Sequence, residues 1–180
     1  MLTLDQVTLE TERLYLRPFA QSDLDLYAEL CADPEVMRYI GSGMPVSRSE
    51  AWRGMATILG HWELRGYGLW AVEEKSSCRL IGRVGCWYPE GWPDFEIGWM
   101  LRRSAWGQGF ALEAARASVR YAFEVLNRPQ IVSLIAPENQ RSIAVAKRLG
   151  ETLRGQSNLL GRQVLIYGLT RQDWVKQLDA

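Results

Sequence analysis

DFEIGWMLRRSAWGQGFALEAARASVRYAF, residues 94–123, places three kinds of local structure in immediate succession. Residues 95–101 are a short apolar run with β-type side chains, which predicts a buried strand. Alternation puts Phe95, Ile97 and Trp99 on one face of it and Glu96, Gly98 and Met100 on the other. Residues 102–109 are polar and contain two glycines. From Gly109 onward Leu112, Ala115, Val119, Ala122 and Phe123 recur at three- and four-residue intervals, the period of an amphipathic helix. A strand that turns through Gly107-Gln108-Gly109 into a helix offers unpaired backbone N–H groups beside the positive end of the helix dipole, a combination that binds phosphate oxygens. Glycine lets such a ligand approach the backbone more closely than a Cβ would allow. The stretch predicts a pyrophosphate-binding turn.

Two common nucleotide signatures do not fit. A dinucleotide fingerprint needs a small residue three positions after Gly109, where Leu112 stands, and a Walker-type loop needs a closing Gly-Lys-Ser/Thr. The residues Trp106, Gly107, Gln108, Gly109, Phe110 and Ala111 instead resemble the acetyl-CoA-binding motif of the GNAT superfamily of N-acetyltransferases. Their Trp-Gly-x-Gly-Phe/Tyr-Ala form is similar to that of the RimJ/RimL-type branch, which acetylates protein N-termini. The segments TERLYLRPF, SDLDLYAEL and DPEVMRYI near the N-terminus resemble the same branch, and the resemblance spans residues 9–170. It implies an α+β, GNAT-like fold: a central, mostly antiparallel, splayed sheet of six to seven strands flanked by about four helices.

The remaining local patterns agree with such a layout. Residues 1–11 are a weakly specified lead-in, and 12–17 alternate as a half-buried strand that Pro18 closes. Ser22 is a candidate N-cap for a helix with Leu24, Tyr27, Ala28 and Cys31 on one face, ended by Asp33-Pro34. Ser47 and Glu50 form a capping-box pattern for a helix over 48–65. Residues 67–74 and 80–87 read as an antiparallel pair, 130–136 as a strand, and 139–149 as a helix with Gly150 at C′. Residues 152–158 and 163–169 read as a hairpin about Leu160-Gly161, followed by a helix over 171–178.

The resemblance also assigns roles. The main chain of Trp99, Met100 and Leu101 would pair with the pantetheine amides, as an added strand pairs with a sheet edge. Arg102 and Arg103 would meet cofactor phosphates. Asn139 and Ser142, matching an Asn-x-x-Ser pattern after the 130–136 strand, would contact the cofactor. A tyrosine that many members use as general acid toward the thiolate falls by register on Ala146, so Ser142, one turn earlier, is the substitute. Glu96, beside the expected thioester, is the candidate general base. Amide formation needs a neutral amine, and deprotonation at pH 7 costs roughly 4–5 kcal/mol for a lysine but about 1 for an α-amine. His61 is the only histidine, which argues against a Ser-His or Cys-His triad.

Composition excludes several other functions. At 180 residues and 47% hydrophobic content the chain reads as a single domain, 1–180, with a substantial core. Twenty-one basic residues balance 21 acidic ones, so no global field favours nucleic acid or an anionic membrane. No apolar run approaches membrane-span length, no signal-peptide pattern opens the chain, and three scattered cysteines suggest neither disulfide framework nor zinc site. A cytoplasmic location follows as the expectation. The reading is acetyl transfer from acetyl-CoA, as co-substrate and without metal, to a primary amine, with protein N-terminal α-amines leading by resemblance. Glu63, Glu90 and Asp94 leave a polyamine or aminoglycoside acceptor open, and the missing tyrosine leaves open a non-catalytic acyl-CoA-binding module. A homodimer is compatible with the sequence.

Overall fold

The structure is a computed structural model and describes residues 7–178; residues 1–6 of the predicted lead-in lie outside it. The strands are β1 (Leu9–Glu10), β2 (Leu14–Arg17), β3 (Leu69–Glu74), β4 (Arg79–Trp87), β5 (Glu96–Leu101), β6 (Gln130–Ile135), β7 (Thr152–Leu159) and β8 (Arg162–Thr170). The helices are α1 (Leu24–Ala32), α2 (Pro34–Met37), α3 (Arg48–Arg65), α4 (Phe110–Glu124), α5 (Gln140–Arg148) and α6 (Arg171–Leu178). All eight strands form one sheet in the order β1-β2-β3-β4-β5-β6-β8-β7, antiparallel throughout except between β5 and β6. The mixed α/β GNAT-like architecture is therefore present, with eight strands where six to seven were expected and six helices where about four were. The extra strand is the two-residue β1, and α2 is a single turn that Asp33 caps by accepting from Glu35 N–H at 2.9 Å. A proline at the first helical position ends α1 and also starts α2, because its missing N–H is not needed there.

Several elements follow directly from their residues. Ser47 Oγ accepts from the Glu50 N–H while the Glu50 carboxylate accepts from the Ser47 N–H, so α3 begins as the capping box predicts. It buries Ala51, Met55, Ile58 and Trp62, spaced four, three and four residues apart. At the end of α5, Gly150 adopts φ +86°. Its N–H bonds Lys147 O and the Glu151 N–H bonds Ala146 O, a Schellman stop. The β7–β8 turn has both Leu160 and Gly161 at positive φ, as a tight hairpin requires. Ser22 is not a cap. It is exposed, and the buried Asp23 carboxylate accepts from Ala20 N–H and pairs with Arg17 at 2.8 Å.

The main core lies between the sheet and its helices and contains Leu14, Leu16, Trp70, Val84, Ile97, Phe123 and Ile131, all essentially inaccessible. Each such aliphatic side chain contributes about 1.5–3 kcal/mol by leaving water. A smaller cluster of Ile135, Ile143, Ala146 and Tyr167 fixes α5 against β6 and β8. His61, within the helix predicted over 48–65, is buried. It is stacked on Trp87 at 4.5 Å with Nδ1 2.7 Å from Tyr67 O, and it braces α3 against the sheet.

Candidate active site

The central geometric fact is that β5 and β6 part almost as soon as they meet. Their parallel pairing is confined to Glu96 opposite Val132, supported by Val132 N–H to Phe95 O at 2.9 Å. On its other side β5 pairs with β4 along its full length, Glu96 through Leu101. The edge of β5 from Gly98 to Leu101 that faces β6 has no strand partner among the described residues. Unpaired N–H and C=O groups in that position can receive an extended, amide-bearing ligand.

The splay opens into a cleft of about 750 Å³ lined from β5 by Trp99, Met100 and Leu101, from the following turn by Trp106, Gly107 and Gly109, and from α5 by Asn139 and Ser142. Phe110 and Ala111 at the start of α4 line it too. Gly107 and Gly109 have φ of +74° and +82°, and nothing lies within 4 Å of a Cβ built on Gly107. The first backbone bond of α4 is Glu113 N–H to Gly109 O, so the N–H groups of Phe110, Ala111 and Leu112 precede the helical ladder. The turn thus has the open glycines and free N–H groups that the sequence pattern expects of a phosphate cradle.

Three predicted contacts lie elsewhere. Arg103 pairs with Asp33 at 2.7 Å and Arg102 lies 3.8 Å from Glu29, so both guanidiniums face the α1–α2 corner and line neither cavity. Gln108 bonds Ser104 O through its side chain and also stays out of the cleft lining. Sequence reasoning missed Arg13, which precedes β2 and reaches the turn at the N-terminal end of α4. Its guanidinium pairs with Glu113 at 2.6 Å, donates to Gln108 O at 2.9 Å and lies 4.4 Å over the Phe110 ring. Its partner Glu113 is a hundred residues away, so no local pattern could reveal it.

Glu96 lies in a second, smaller chamber of about 240 Å³ on the face of the sheet shared by Arg83, Trp87 and Gly98. Trp92 Nε1 donates to Glu96 Oε2 at 2.6 Å. Burial pushes the carboxyl up to about 7, against the opposing pull of the Trp92 hydrogen bond and the nearby Arg83 charge. A Cβ at Gly98 would stand 3.6 Å from Glu96 Oε1, so glycine leaves the carboxylate open along the strand. The chamber and the cleft share Tyr39, Ile40, Trp99, Asn139 and Ser142. At this junction Trp99 Nε1 donates to Ser142 Oγ at 3.1 Å, and Asn139 Oδ1 accepts from Ser142 N–H at 3.2 Å. Ala146 is fully buried on the inner face of α5 and lines neither cavity. Tyr39, which borders both, belongs to the DPEVMRYI segment, to which the sequence assigns no site role.

A glycine turn with free N–H groups, a splayed strand edge and a carboxylate chamber converging on one junction is the layout expected of an acyl-CoA-dependent transferase. A model of the acetyltransferase (GNAT) domain matches residues 13–152. The chain belongs to the GNAT acetyltransferase family. It is 35% identical to an acetyltransferase of known structure from Agrobacterium tumefaciens, with a TM-score of 0.80 over 90% of this chain and 93% of that one. It is 32% identical to an uncharacterized N-acetyltransferase of Bacillus licheniformis, across 89% and 93% of the two chains. The FsC-acetyl coenzyme A-N(2)-transacetylase of Aspergillus fumigatus is 28% identical over 95% of this chain and 79% of its own. As a GNAT enzyme the chain is an acyl-CoA-dependent acetyltransferase. Among the described residues no group of three or more His, Cys, Asp or Glu side chains is placed to hold a metal, and no helix is long and apolar enough to cross a membrane.

Cysteine chemistry has no support at this site. Cys31 and Cys86 are buried with thiols pushed up by desolvation, and Cys78 lies in the exposed β3–β4 turn, outside both cavities. Nor do Glu63, Glu90 and Asp94 line either cavity; Glu90 pairs with Arg65 at 3.1 Å and Asp94 accepts from Gln130 at 2.7 Å.

Proposed function

We propose that the chain transfers the acetyl group of acetyl-CoA to a primary α-amine by direct attack, without a covalent enzyme intermediate. The observation that carries this reading is the junction at Trp99, Asn139 and Ser142, where the diphosphate cleft meets the Glu96 chamber. In this reading the N–H groups at the start of α4 and the glycines before it hold the diphosphate. The open edge of β5 aligns the pantetheine arm and brings the thioester carbonyl to the junction.

The amine enters through the chamber as an ammonium and gives a proton to Glu96, directly or through one water. With its carboxyl near 7, Glu96 is a competent base for an α-amine, whose deprotonation costs only about 1 kcal/mol at neutrality. The nitrogen then attacks the thioester carbon, the C–N bond forms, the C–S bond breaks, and the sulfur leaves as thiolate. The attacking nitrogen sheds its second proton in the same step, and Ser142 relays it. Its Oγ accepts the Trp99 indole N–H with one lone pair and takes the nitrogen's proton on the other as its own proton passes to the departing sulfur. Most of the rate comes from positioning two substrates in a water-restricted junction.

The RimJ/RimL-type form of Trp106–Ala111 supports a protein N-terminal α-amine as acceptor, while the dimensions of the chamber support a small one. Titration calorimetry with acetyl-CoA, followed by an amine screen monitored by CoA release, tests the proposal. Binding with turnover that Glu96→Gln suppresses supports it. Binding without turnover of any amine favours a non-catalytic acyl-CoA-binding module and overturns it.

A further inference from the structure

The Glu96 chamber carries more positive charge than a site for a simple amine requires. Its charged lining consists of Glu96 from β5, Arg83 from β4 and Arg162 from the β7–β8 hairpin. Among the described residues no carboxylate lies within ion-pair distance of Arg83 or Arg162. Arg162 is anchored through one nitrogen to Arg38 O at 3.2 Å, which holds it across the chamber rim. Arg83 is less well satisfied: its Nε is buried and has no hydrogen-bond partner. From α1 the guanidinium is faced by the Tyr27 hydroxyl, a neutral hydrogen-bond partner, and by the Cys31 thiol. Burial holds both in their neutral forms, with Tyr27 pushed up to about 12, so neither supplies a countercharge.

Buried charged donors are paired in folded proteins, because desolvating one without a partner is costly. A guanidinium that lines a cavity without a countercharge is suited to receive an anion brought by a ligand. The β4–β5 register places this cation relative to the base. Arg83 stands opposite Met100 and Trp87 opposite Glu96, so Arg83 and Glu96 share one face of the sheet but lie at different ends of the chamber. The guanidinium and the carboxylate do not neutralise each other by direct contact.

We infer that the acceptor is a small zwitterion, a free amino acid or a close relative, whose carboxylate is held by Arg83 while its amine faces Glu96 and the junction. The inference rests on the acetyl-transfer reading above and names the substrate class of the same site. A guanidinium binds a carboxylate through two parallel hydrogen bonds, which fixes orientation as well as charge. Neutralising the carboxylate on Arg83 also lowers the proton affinity of the ligand's ammonium, the direction that transfer to Glu96 requires. Trp87, Trp92 and Val164 provide apolar walls for a side chain. A polyamine would place further cations against two guanidiniums. A peptide N-terminus offers no α-carboxylate at the needed distance.

The test is steady-state acetyl transfer by the full chain with the free amino acids. The best of them is then compared with its own amide, with its decarboxylated amine and with an alanine-started peptide. The amino acid is expected to exceed its amide and amine by roughly 10–100-fold in kcat/KM, the range of one charge-assisted, bidentate contact. Arg83→Met is expected to bring the acid-to-amide ratio close to one through KM, and Arg83→Lys to restore part of it. Should Arg83→Met not fold, the comparison in the unsubstituted chain decides by itself. Equal turnover of acid, amide and amine, or preference for the peptide, overturns the carboxylate assignment and leaves acetyl transfer standing. Absence of turnover with every amine overturns both.

Discussion

Trp99 Nε1 donates to Ser142 Oγ at 3.1 Å and thereby ties β5 to the start of α5 across the splay. The hydroxyl has one proton and the indole has already taken one of its lone pairs. Its remaining donor direction lies at the boundary between cleft and chamber, where the thiolate would leave. Ser142→Ala is expected to lower kcat roughly 10–100-fold with a smaller change in KM for acetyl-CoA, because proton donation acts on the leaving group. Trp99→Phe, which keeps the ring and removes the N–H, should lower kcat less than Ser142→Ala does. Kinetics monitored by CoA release distinguish the two; a rise in KM alone in Ser142→Ala would assign the residue to binding.

The pH profile follows from Glu96. Burial raises its carboxyl to about 7, so the basic form is lost as pH falls through that value. The expected kcat/KM profile has an acid limb with its midpoint near 7 and reaches a plateau above it. Glu96→Gln should remove about 10²–10³ of the rate at pH 8 and abolish that limb. Retention of the same limb by Glu96→Gln would assign it to the substrate amine.

The glycine turn can be tested by binding alone. Gly107 and Gly109 occupy the left-handed region, where an L-residue costs about 1–2 kcal/mol. A Cβ on Gly107 meets nothing in the protein, so the clash expected there is with a bound diphosphate. Gly107→Ala should therefore weaken acetyl-CoA by roughly 10-fold or more in titration calorimetry, while the melting temperature falls by only a few degrees. An affinity loss no greater than that from the exposed Ser104→Ala would remove the turn from the binding site.

Most of this arrangement was legible because its signals are local. The capping box at Ser47 and Glu50, the Schellman glycine at 150 and the Gly107–Gly109 turn each depend on residues a few positions apart. Strand alternation likewise put Glu96 and Gly98 on one face of β5, where both now line the chamber. What escaped was set by contacts distant in sequence. Arg102 and Arg103 look like phosphate ligands until Glu29 and Asp33, about seventy residues earlier, fold against them. Ser22 gives no cap because Asp23, whose carboxylate Arg17 on β2 holds against the Ala20 N–H, stands at the N-cap position instead. Arg83 reads as an ordinary strand cation until the chamber is closed by β8 and its hairpin.

Glu151 supplies a stability test that does not involve turnover. The Schellman stop after Gly150 sends its side chain inward, where it is buried and where Ser133 Oγ lies 3.0 Å from Glu151 Oε1 and 3.0 Å from Ile97 O. One serine proton cannot serve two acceptors. Both contacts are satisfied when Glu151 is protonated and donates to Ser133, which donates to Ile97 just where β5 and β6 part. Burial, reinforced by the neighbouring Glu96 charge, raises the Glu151 carboxyl to about 8. An unfolded glutamate titrates near ~4.3. Between these values the folded state holds a proton that the unfolded state has lost, so stability declines as pH rises from about 5 to 8 and levels off beyond. Glu151→Gln retains a donor for Ser133 and carries no charge. It should be more stable than the unsubstituted chain by roughly 1–3 kcal/mol at pH 8, and close to it at pH 5, in urea melts at the two pH values. Glu96 leaves a residual slope of the same sign in the variant. A stability difference that does not change with pH would place the Glu151 proton outside this network.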